Sequence, residues 1–266
     1  MTIPEPVPSK LSQRRAARAD WDTYWTYHQA PGYVNHTPQL IETIERHIDL
    51  HGCRVLEVGV GTGGNSSTLA SLGAMVTALD FSMPALQRAV ATAFGKSTHI
   101  VFAQGDAHRL PFGSDAFDLV FHQGFLEHFA NPADLIHEQR RVLRADGYIL
   151  VDVPQRYNWY TVHKHLVMCV GRWPYGKWER EFSLSELCAL LEAQGYRVVD
   201  AYGRGYYPRP FRMLRNLRKI ETNLLKCQVF PDSVWRMYDA WWRRFEQSRL
   251  GCSVLQSIGV LAQVSG

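Results

Sequence analysis

The chain has 266 residues, of which 46% are hydrophobic and 20% are charged, and its formal net charge is +4. This composition is that of an ordinary globular protein with enough length for one α/β domain with insertions or two small domains. The mild charge does not imply a nucleic-acid partner, the five scattered cysteines form no disulfide or zinc pattern, and apolar stretches of about ten residues are too short to span a membrane.

The N-terminal region is predicted to be a loose leader followed by a helix. Residues 1–10 carry three prolines and no apolar core. Residues 11–30 are predicted to be helical, with an aromatic side formed by Trp21, Tyr24, Trp25 and His28.

From residue 37 onward, predicted strands and helices alternate, which indicates a parallel sheet with helices on both faces. A capping box of Ser183 and Glu186 marks the start of one of these helices. The predicted helices span 37–48, 65–73, 82–95, 131–147 and 183–195, and the predicted strands span 54–60, 74–80, 99–106, 117–124, 148–154, 196–203 and 253–264.

Two long connections interrupt this alternation. Residues 155–181 and 204–249 are rich in aromatic and basic side chains. Because both follow strands of a parallel sheet, we expect them to emerge at its carboxyl edge, where open α/β sheets bind ligands.

The glycine-rich run VLEVGVGTGG, after the first strand, fits two ligand-binding patterns. Gly59, Gly61 and Gly64 fit the G-x-G-x-x-G of dinucleotide binders. Glu57, Gly59, Gly61 and Gly63 fit the acidic-x-G-x-G-x-G loop of methyltransferases that use S-adenosylmethionine. The loop alone does not choose between the two ligands.

Three further features bear on the ligand. A carboxylate at Glu57 would repel a pyrophosphate but attract the ammonium group of a methionine moiety. Asp80 ends the second strand, where it can accept hydrogen bonds from both ribose hydroxyls, as in nicotinamide and S-adenosylmethionine sites alike. After the third strand, Asp106 can accept from an adenine amino group, and the Ala107 N–H can donate to the ring.

The runs VLEVGVGTGG, DFS, GDAHRLPF, FDLVFHQGFLEHF and VLRADGYIL, in this order, resemble the class I S-adenosylmethionine-dependent methyltransferases of the type 11 group over roughly residues 36–154. The resemblance implies an α/β, Rossmann-like, doubly wound seven-stranded sheet with a C-terminal antiparallel hairpin and helical lid insertions. It implies a methyltransferase domain over 36–266, preceded by a leader and a helix covering the cofactor site over 1–35. The cofactor residues it implies are Glu57, Gly59, Gly61, Gly63, Asp80, Phe81, Asp106, Ala107 and Gln123.

Methyl transfer from a sulfonium is an in-line displacement with an activated donor, so alignment of the acceptor supplies most of the acceleration. His128 and His122 are the candidates for a general base, although each could instead orient a loop through hydrogen bonds. Ubiquinone-pathway O-methyltransferases, which are similar here, carry a glutamate three residues before the Glu-His pair and can hold a divalent metal. That position is Gly124 in this chain, so no metal is expected.

The second insertion bears on the acceptor, because residues 204–249 hold eleven Lys and Arg against four acidic residues. Such a segment fits either a plain helical lid over an amphipathic or anionic acceptor, or a contact with a membrane surface. RNA would also suit basic and aromatic residues, but no RNA-binding module is recognisable.

We therefore expect a cytoplasmic S-adenosylmethionine-dependent methyltransferase, with or without peripheral membrane contact, that releases S-adenosylhomocysteine. Its expected acceptor is a small-molecule or lipid-like compound, modified at oxygen. The alternatives are a nicotinamide-dependent oxidoreductase and a non-catalytic S-adenosylmethionine-binding module. The sequence leaves open the acceptor's identity, methylation at nitrogen or carbon, and the oligomeric state.

Overall fold

The computed structural model describes residues 18–27, 34–96, 98–169, 179–205, 216–217 and 230–265. The helices within these ranges are α1 (Arg18–Tyr27), α2 (Pro38–Glu45), α3 (Gly64–Ser71), α4 (Met83–Gly95), α5 (Pro132–Val142), α6 (Trp159–Cys169), α7 (Leu184–Ala193), α8 (Asp232–Glu246) and α9 (Arg249–Val254). The strands are β1 (Arg54–Val58), β2 (Met75–Asp80), β3 (Ile100–Gln104), β4 (Phe117–Gln123), β5 (Leu143–Pro154), β6 (Tyr196–Arg204) and β7 (Ser257–Val264).

The seven strands form one sheet in the order β3-β2-β1-β4-β5-β7-β6. Neighbouring strands are parallel except where β7 pairs with β5 and β6, and both of those pairings are antiparallel. The predicted α/β fold with a seven-stranded sheet and a C-terminal antiparallel hairpin is therefore confirmed.

Helices cover both faces of the sheet because successive side chains of the central strand point to opposite sides. Val55 of β1 packs with Leu40 of α2 in one buried cluster, whereas the next residue, Leu56, packs with Leu135 of α5 and Leu187 of α7 in another. All five side chains are fully buried. This continuous apolar run is what a parallel strand covered on both faces requires.

Three predicted boundaries are wrong by four or more residues. The helix predicted over 131–147 ends at Val142, and the strand predicted over 148–154 begins at Leu143, because Leu143 pairs with Phe117 of β4. The strand predicted over 253–264 begins only at Ser257, because α9 occupies the preceding residues. The predicted capping box is confirmed: the Ser183 side chain accepts from the Glu186 N–H, and the Glu186 carboxylate accepts from the Ser183 N–H.

The two predicted insertions each contain a helix, α6 in the first and α8 in the second. Parts of both insertions, together with residues 1–17 and His28, lie outside the described residues. Among the helices that the structure describes, none has the length and apolar character needed to cross a bilayer.

Candidate functional site

A cavity of about 610 Å³ opens beside the carboxyl ends of β1, β2 and β4. Its volume lies within the range of about 300–1,000 Å³ that is usual for small-molecule and cofactor sites. The lining residues come from α1, the strand ends and the loops after β3 and β4: Trp21, Trp25, Gly59, Leu79, Asp80, Phe81, Gln104, Gly105, Asp106, Ala107, His108, Gly124, Phe125, His128 and Phe129.

The glycines after β1 are required by the conformation of the loop. Gly59, Gly61 and Gly63 have φ values of +73°, +54° and +70°, a region that residues with side chains rarely adopt. Of the three, only Gly59 lines the cavity, and a Cβ there would lie 2.5 Å from Cδ2 of Phe125. A Cβ on Gly63 would instead lie 2.9 Å from the Cβ of Ala89 on α4, so this glycine also permits close packing of α3 against α4.

The Asp80 carboxylate lies in the cavity wall and is held by backbone N–H groups. It accepts hydrogen bonds from the N–H of Gly61 (3.2 Å) and of Ser82 (2.9 Å). Burial nevertheless raises the pKa of Asp80 to about 6, because removal from water disfavours the charged form more than these hydrogen bonds favour it. Each carboxylate oxygen keeps a lone pair that could accept from a ligand hydroxyl.

Three predicted adenine-side residues, Phe81, Asp106 and Ala107, line one end of the cavity. The Asp106 side chain is 66% exposed, and its Oδ1 lies 2.9 Å from both the backbone N and the Nδ1 of His108. The imidazole of His108 packs edge-on against Phe129, with ring centroids 5.3 Å apart. This end of the cavity therefore offers aromatic rings and a carboxylate together.

Glu57 and Gln123 do not line the cavity. The buried Glu57 carboxylate accepts a hydrogen bond from the Ser66 hydroxyl, and burial raises the pKa of Glu57 to about 8. The Gln123 amide lies within hydrogen-bonding distance of Thr37 and Asn65. In this state both side chains support the segment before α2 and the start of α3.

Trp21 and Trp25 of α1 form one wall of the cavity. Neither tryptophan was among the predicted cofactor residues. The indole of Trp25 lies over the glycine loop, where a Cβ on Gly61 would be 2.8 Å from its Cη2. Trp21 packs edge-on against His128, with ring centroids 4.7 Å apart. The resemblance implied that a helix within residues 1–35 covers the cofactor site, and the aromatic side predicted for this helix was the signal for the wall, but neither said which rings would line the cavity.

The two candidate bases occupy different environments. His128 lines the cavity, and its Nε2 lies 4.0 Å from Oε1 of Glu127. His122 is fully buried, does not line the cavity, and has no hydrogen-bond partner for either ring nitrogen among the described residues. Burial lowers the pKa of His122 to about 3, so its imidazole is a neutral interior group.

Behind His128 lies a group of buried charges. The Lys164 ammonium, 1% exposed, pairs with Glu179 at 2.9 Å and with Glu181. Glu127 is buried nearby, and its Oε2 has no hydrogen-bond partner within the described ranges. The pKa of Glu127 is raised to about 8, mainly by burial and to a smaller extent by the nearby carboxylates of Glu179 and Asp152, while Lys164 opposes the shift.

A second buried charge is fully paired. The Asp152 carboxylate of β5 accepts from Nε and Nη2 of Arg204, both at 2.7 Å, and from the Tyr202 hydroxyl at 2.8 Å. Because both partners belong to β6, these contacts fix the carboxyl ends of the outer strands. No group of three metal-ligating side chains is present among the described residues.

Comparison with known proteins identifies the domain family that this chain resembles. Residues 56–151 match the family model of the type 11 methyltransferase domain. A ubiquinone biosynthesis O-methyltransferase of Coxiella burnetii (strain RSA 331) is 28% identical over 201 residues, which cover 71% of this chain and 82% of that protein.

Solved structures show the same fold at low sequence identity. A SAM-dependent methyltransferase from Aquifex aeolicus superposes with a TM-score of 0.56 at 13% identity, covering 91% of this chain and 98% of that one. The [4+2]-cyclase SpnF superposes with a TM-score of 0.55 at 20% identity, covering 85% and 80%. The fold alone therefore does not decide the reaction. The match of residues 56–151 to the methyltransferase family model, together with the O-methyltransferase relative, supports a class I methyltransferase of the type 11 group, an enzyme whose methyl donor is S-adenosylmethionine.

Proposed function

We propose that the enzyme methylates a hydroxyl oxygen of a small aromatic or lipid-like acceptor. The observation that carries this proposal is the cavity itself, in which Asp80 and Asp106 share one space with His128 and the rings of Trp21 and Phe125. The O-methyltransferase name of the Coxiella burnetii relative supports oxygen as the methylated atom.

The cofactor fits the donor groups of this wall. We assign the ribose hydroxyls to the Asp80 carboxylate, the adenine amino group to Asp106, and a ring nitrogen to the N–H of Ala107. Phe81 supplies a face for the adenine ring. Gly59 lines the cavity beside this group, where a side chain would meet Phe125 and narrow the space.

The remaining predicted cofactor residues lie outside the cavity wall. Glu57 is assigned to the ammonium group of the methionine moiety, whose positive charge would favour the ionised carboxylate. Gly61 lies beneath Trp25, so a contact between Gly61 and the cofactor requires the indole to move away from the loop. Gly63 and Gln123 are assigned supporting roles, through α3 packing and through Thr37 and Asn65.

When bound, the cofactor supplies a methyl group already activated on a sulfonium. The protein must then bring an acceptor oxygen into line and remove its proton. His128 is the base we propose, because its imidazole lies in the cavity wall, whereas His122 does not reach the cavity. The aromatic rings around His128 favour an acceptor that carries a flat apolar ring.

The test is transfer of labelled methyl from S-adenosylmethionine into a whole-cell extract of the source organism, followed by partition between organic solvent and water. Hydriodic acid then releases label from methyl ethers as methyl iodide but does not cleave C-methyl groups. Organic-phase label that this treatment releases supports the proposal. Aqueous label, or label that resists the acid, contradicts the acceptor class or the oxygen assignment. The Asp80→Asn protein is the matched control for label that does not depend on the cofactor site.

A further inference from the structure

Helix α8 buries one face and exposes another that is apolar. Trp235, Trp242 and Glu246 are at most 5% exposed and hold the helix against the protein. On the opposite side Val234, Met237 and Trp241 are 41%, 73% and 56% exposed. These three follow one another at i, i+3 and i+7, so they form a single stripe along the helix, which we call the α8 stripe.

The charges around the α8 stripe have one sign. Arg244 continues the stripe at the next helical position, and Arg249 follows on α9 beside Leu250, which is 63% exposed. Within the described part of the chain, neither guanidinium makes a hydrogen bond or salt bridge. The acidic residues of α8 are Asp232 at its start, half-buried Asp239 and buried Glu246, all at other positions around the helix.

Two more arginines of α8 are exposed on the side of the helix that faces α2. Arg236 and Arg243 line a polar cleft between α8 and α2 together with three acidic residues, Glu42, Asp239 and Glu246. Neither forms a salt bridge within the described ranges. The exposed surface thus combines the apolar stripe with Arg244 of α8 and Arg249 of α9 beside it, and with Arg236 and Arg243 in the neighbouring cleft.

We propose that the α8 stripe docks on the surface of an anionic phospholipid membrane. Exposed tryptophan and methionine partition into the interface between headgroups and acyl chains, and arginines beside them attract anionic headgroups. The same charges argue against a second copy of this chain as the occupant, because a symmetric contact would bring Arg244 towards its own counterpart.

The position of α8 connects the proposal to the enzyme. The helix follows β6, whose last residue, Arg204, lies at the carboxyl edge of the sheet, and Gln39 of α2 donates to Glu246 at 3.1 Å. Docking through α8 would therefore hold the carboxyl edge of the sheet near the bilayer. The inference does not depend on the identity of the methyl acceptor.

The experiment is co-sedimentation of the full chain with vesicles of phosphatidylglycerol and phosphatidylcholine (1:1) and with vesicles of phosphatidylcholine alone. We expect binding to the anionic vesicles that weakens about fivefold per arginine removed and weakens in high salt. The double variant Met237→Ser/Trp241→Ser should bind at least about tenfold more weakly.

The matched control removes two equally exposed apolar side chains elsewhere. Phe94 on α4 and Val101 on the edge strand β3 are 87% and 65% exposed, at the far side of the sheet from α8. Phe94→Ser/Val101→Ser should bind vesicles as the unmodified chain does. Thermal unfolding and S-adenosylhomocysteine affinity, which neither double variant should change, verify that both are folded.

Three outcomes would overturn the proposal. The first is no binding to anionic vesicles, and the second is equal loss of binding in the two double variants. The third is a change in oligomeric state in the α8 variant without a change in vesicle binding, which would assign the stripe to a second copy. Vesicle binding is measured without any methyl transfer, so its outcome does not depend on whether the proposed function is correct.

Discussion

The indole of Trp25 lies directly over Gly61, so that a Cβ on Gly61 would be 2.8 Å from Cη2 of Trp25. This contact joins α1 to the glycine loop, although α2 and β1 lie between them in the chain. It also explains why Gly61 does not line the cavity in this state. Movement of Trp25 is thus the local change on which access to this part of the loop depends.

Gly61→Ala should destabilise the protein more than Gly52→Ala. Both glycines have positive φ, +54° and +72°, so each alanine carries a backbone strain of about 1 kcal/mol. Only at Gly61 does the new methyl group meet another side chain, because nothing lies within 4 Å of a Cβ on Gly52. Displacement of Trp25 should add about 1–3 kcal/mol to the loss, measured by urea unfolding.

The contact itself is tested by a third variant. Trp25→Ala should remove the clash, so its effect in the Gly61→Ala background should be smaller than in the unmodified protein. Equal losses for the Gly61 and Gly52 variants, or additive effects of the Trp25 and Gly61 substitutions, would contradict the packing of α1 over the loop.

Asp80→Asn should weaken S-adenosylhomocysteine binding by about tenfold to a hundredfold, the usual value of hydrogen bonds to a charged group. Asparagine keeps the size of the side chain but replaces one acceptor oxygen by a donor. The matched control is Asp118→Asn, because Asp118 pairs with Arg54 and Arg144 at the amino end of β4, away from the cavity. Calorimetric titration of both variants with S-adenosylhomocysteine separates a site effect from a general one.

The Asp80 assignment also fixes a pH dependence. Burial raises the pKa of Asp80 to about 6, and the ribose hydroxyls require the ionised carboxylate as acceptor. The part of the S-adenosylhomocysteine affinity that depends on Asp80 should therefore be constant above about pH 7 and fall as the pH decreases through 6. Asp80→Asn should show weak binding without this fall. An unchanged pH profile in the variant would show that another group titrates.

His128→Asn should lower kcat by about a hundredfold to ten-thousandfold if its imidazole is the general base, with little change in cofactor affinity. His108→Asn is the matched control, because His108 lines the same cavity beside Asp106, at the adenine end. It should weaken cofactor binding and leave kcat nearly unchanged. The reverse pattern would mean that the two ends of the cavity are wrongly assigned. An unchanged kcat in both variants would mean that the enzyme accelerates the reaction by aligning the acceptor, without a general base.

The parts of the site that the sequence predicted are those in which a local pattern fixes the position. Gly59 directly follows β1, and Asp80 is the last residue of β2. Because parallel strands bring their carboxyl ends to one edge, the chain order of the motifs already places these residues together. His128 comes from the loop after β4 and meets them for the same reason. The seven-stranded sheet and its C-terminal antiparallel hairpin followed from the resemblance carried by the same motifs.

The parts that it did not predict depend on contacts between distant segments. The resemblance implied that this helix covers the cofactor site, but which of its aromatic rings line the cavity depends on how α1 packs against α4. The early end of α5 also results from a contact between distant segments. Leu143 lies in a stretch with a helix pattern, but it pairs with Phe117 as the first residue of β5. In both cases tertiary contacts override the local pattern.

Glu127 should make the protein less stable as the pH rises. Burial raises the pKa of Glu127 to about 8, above its value of 4.5 in the unfolded chain, so the folded state binds more protons between these two values. The free energy of unfolding should then decrease from about pH 5 to pH 8, by at most about 1.4 kcal/mol per pH unit from this one group. Glu127→Gln removes the titration, so the variant's gain in the free energy of unfolding over the unmodified protein should grow as the pH rises.

The control is Glu192→Gln, at an exposed position of α7. Its free energy of unfolding, measured with urea at each pH, should change with pH in parallel with that of the unmodified protein. A Glu127→Gln curve that also runs parallel would mean that this carboxyl is already ionised in the folded enzyme, with Lys164 as its compensating charge.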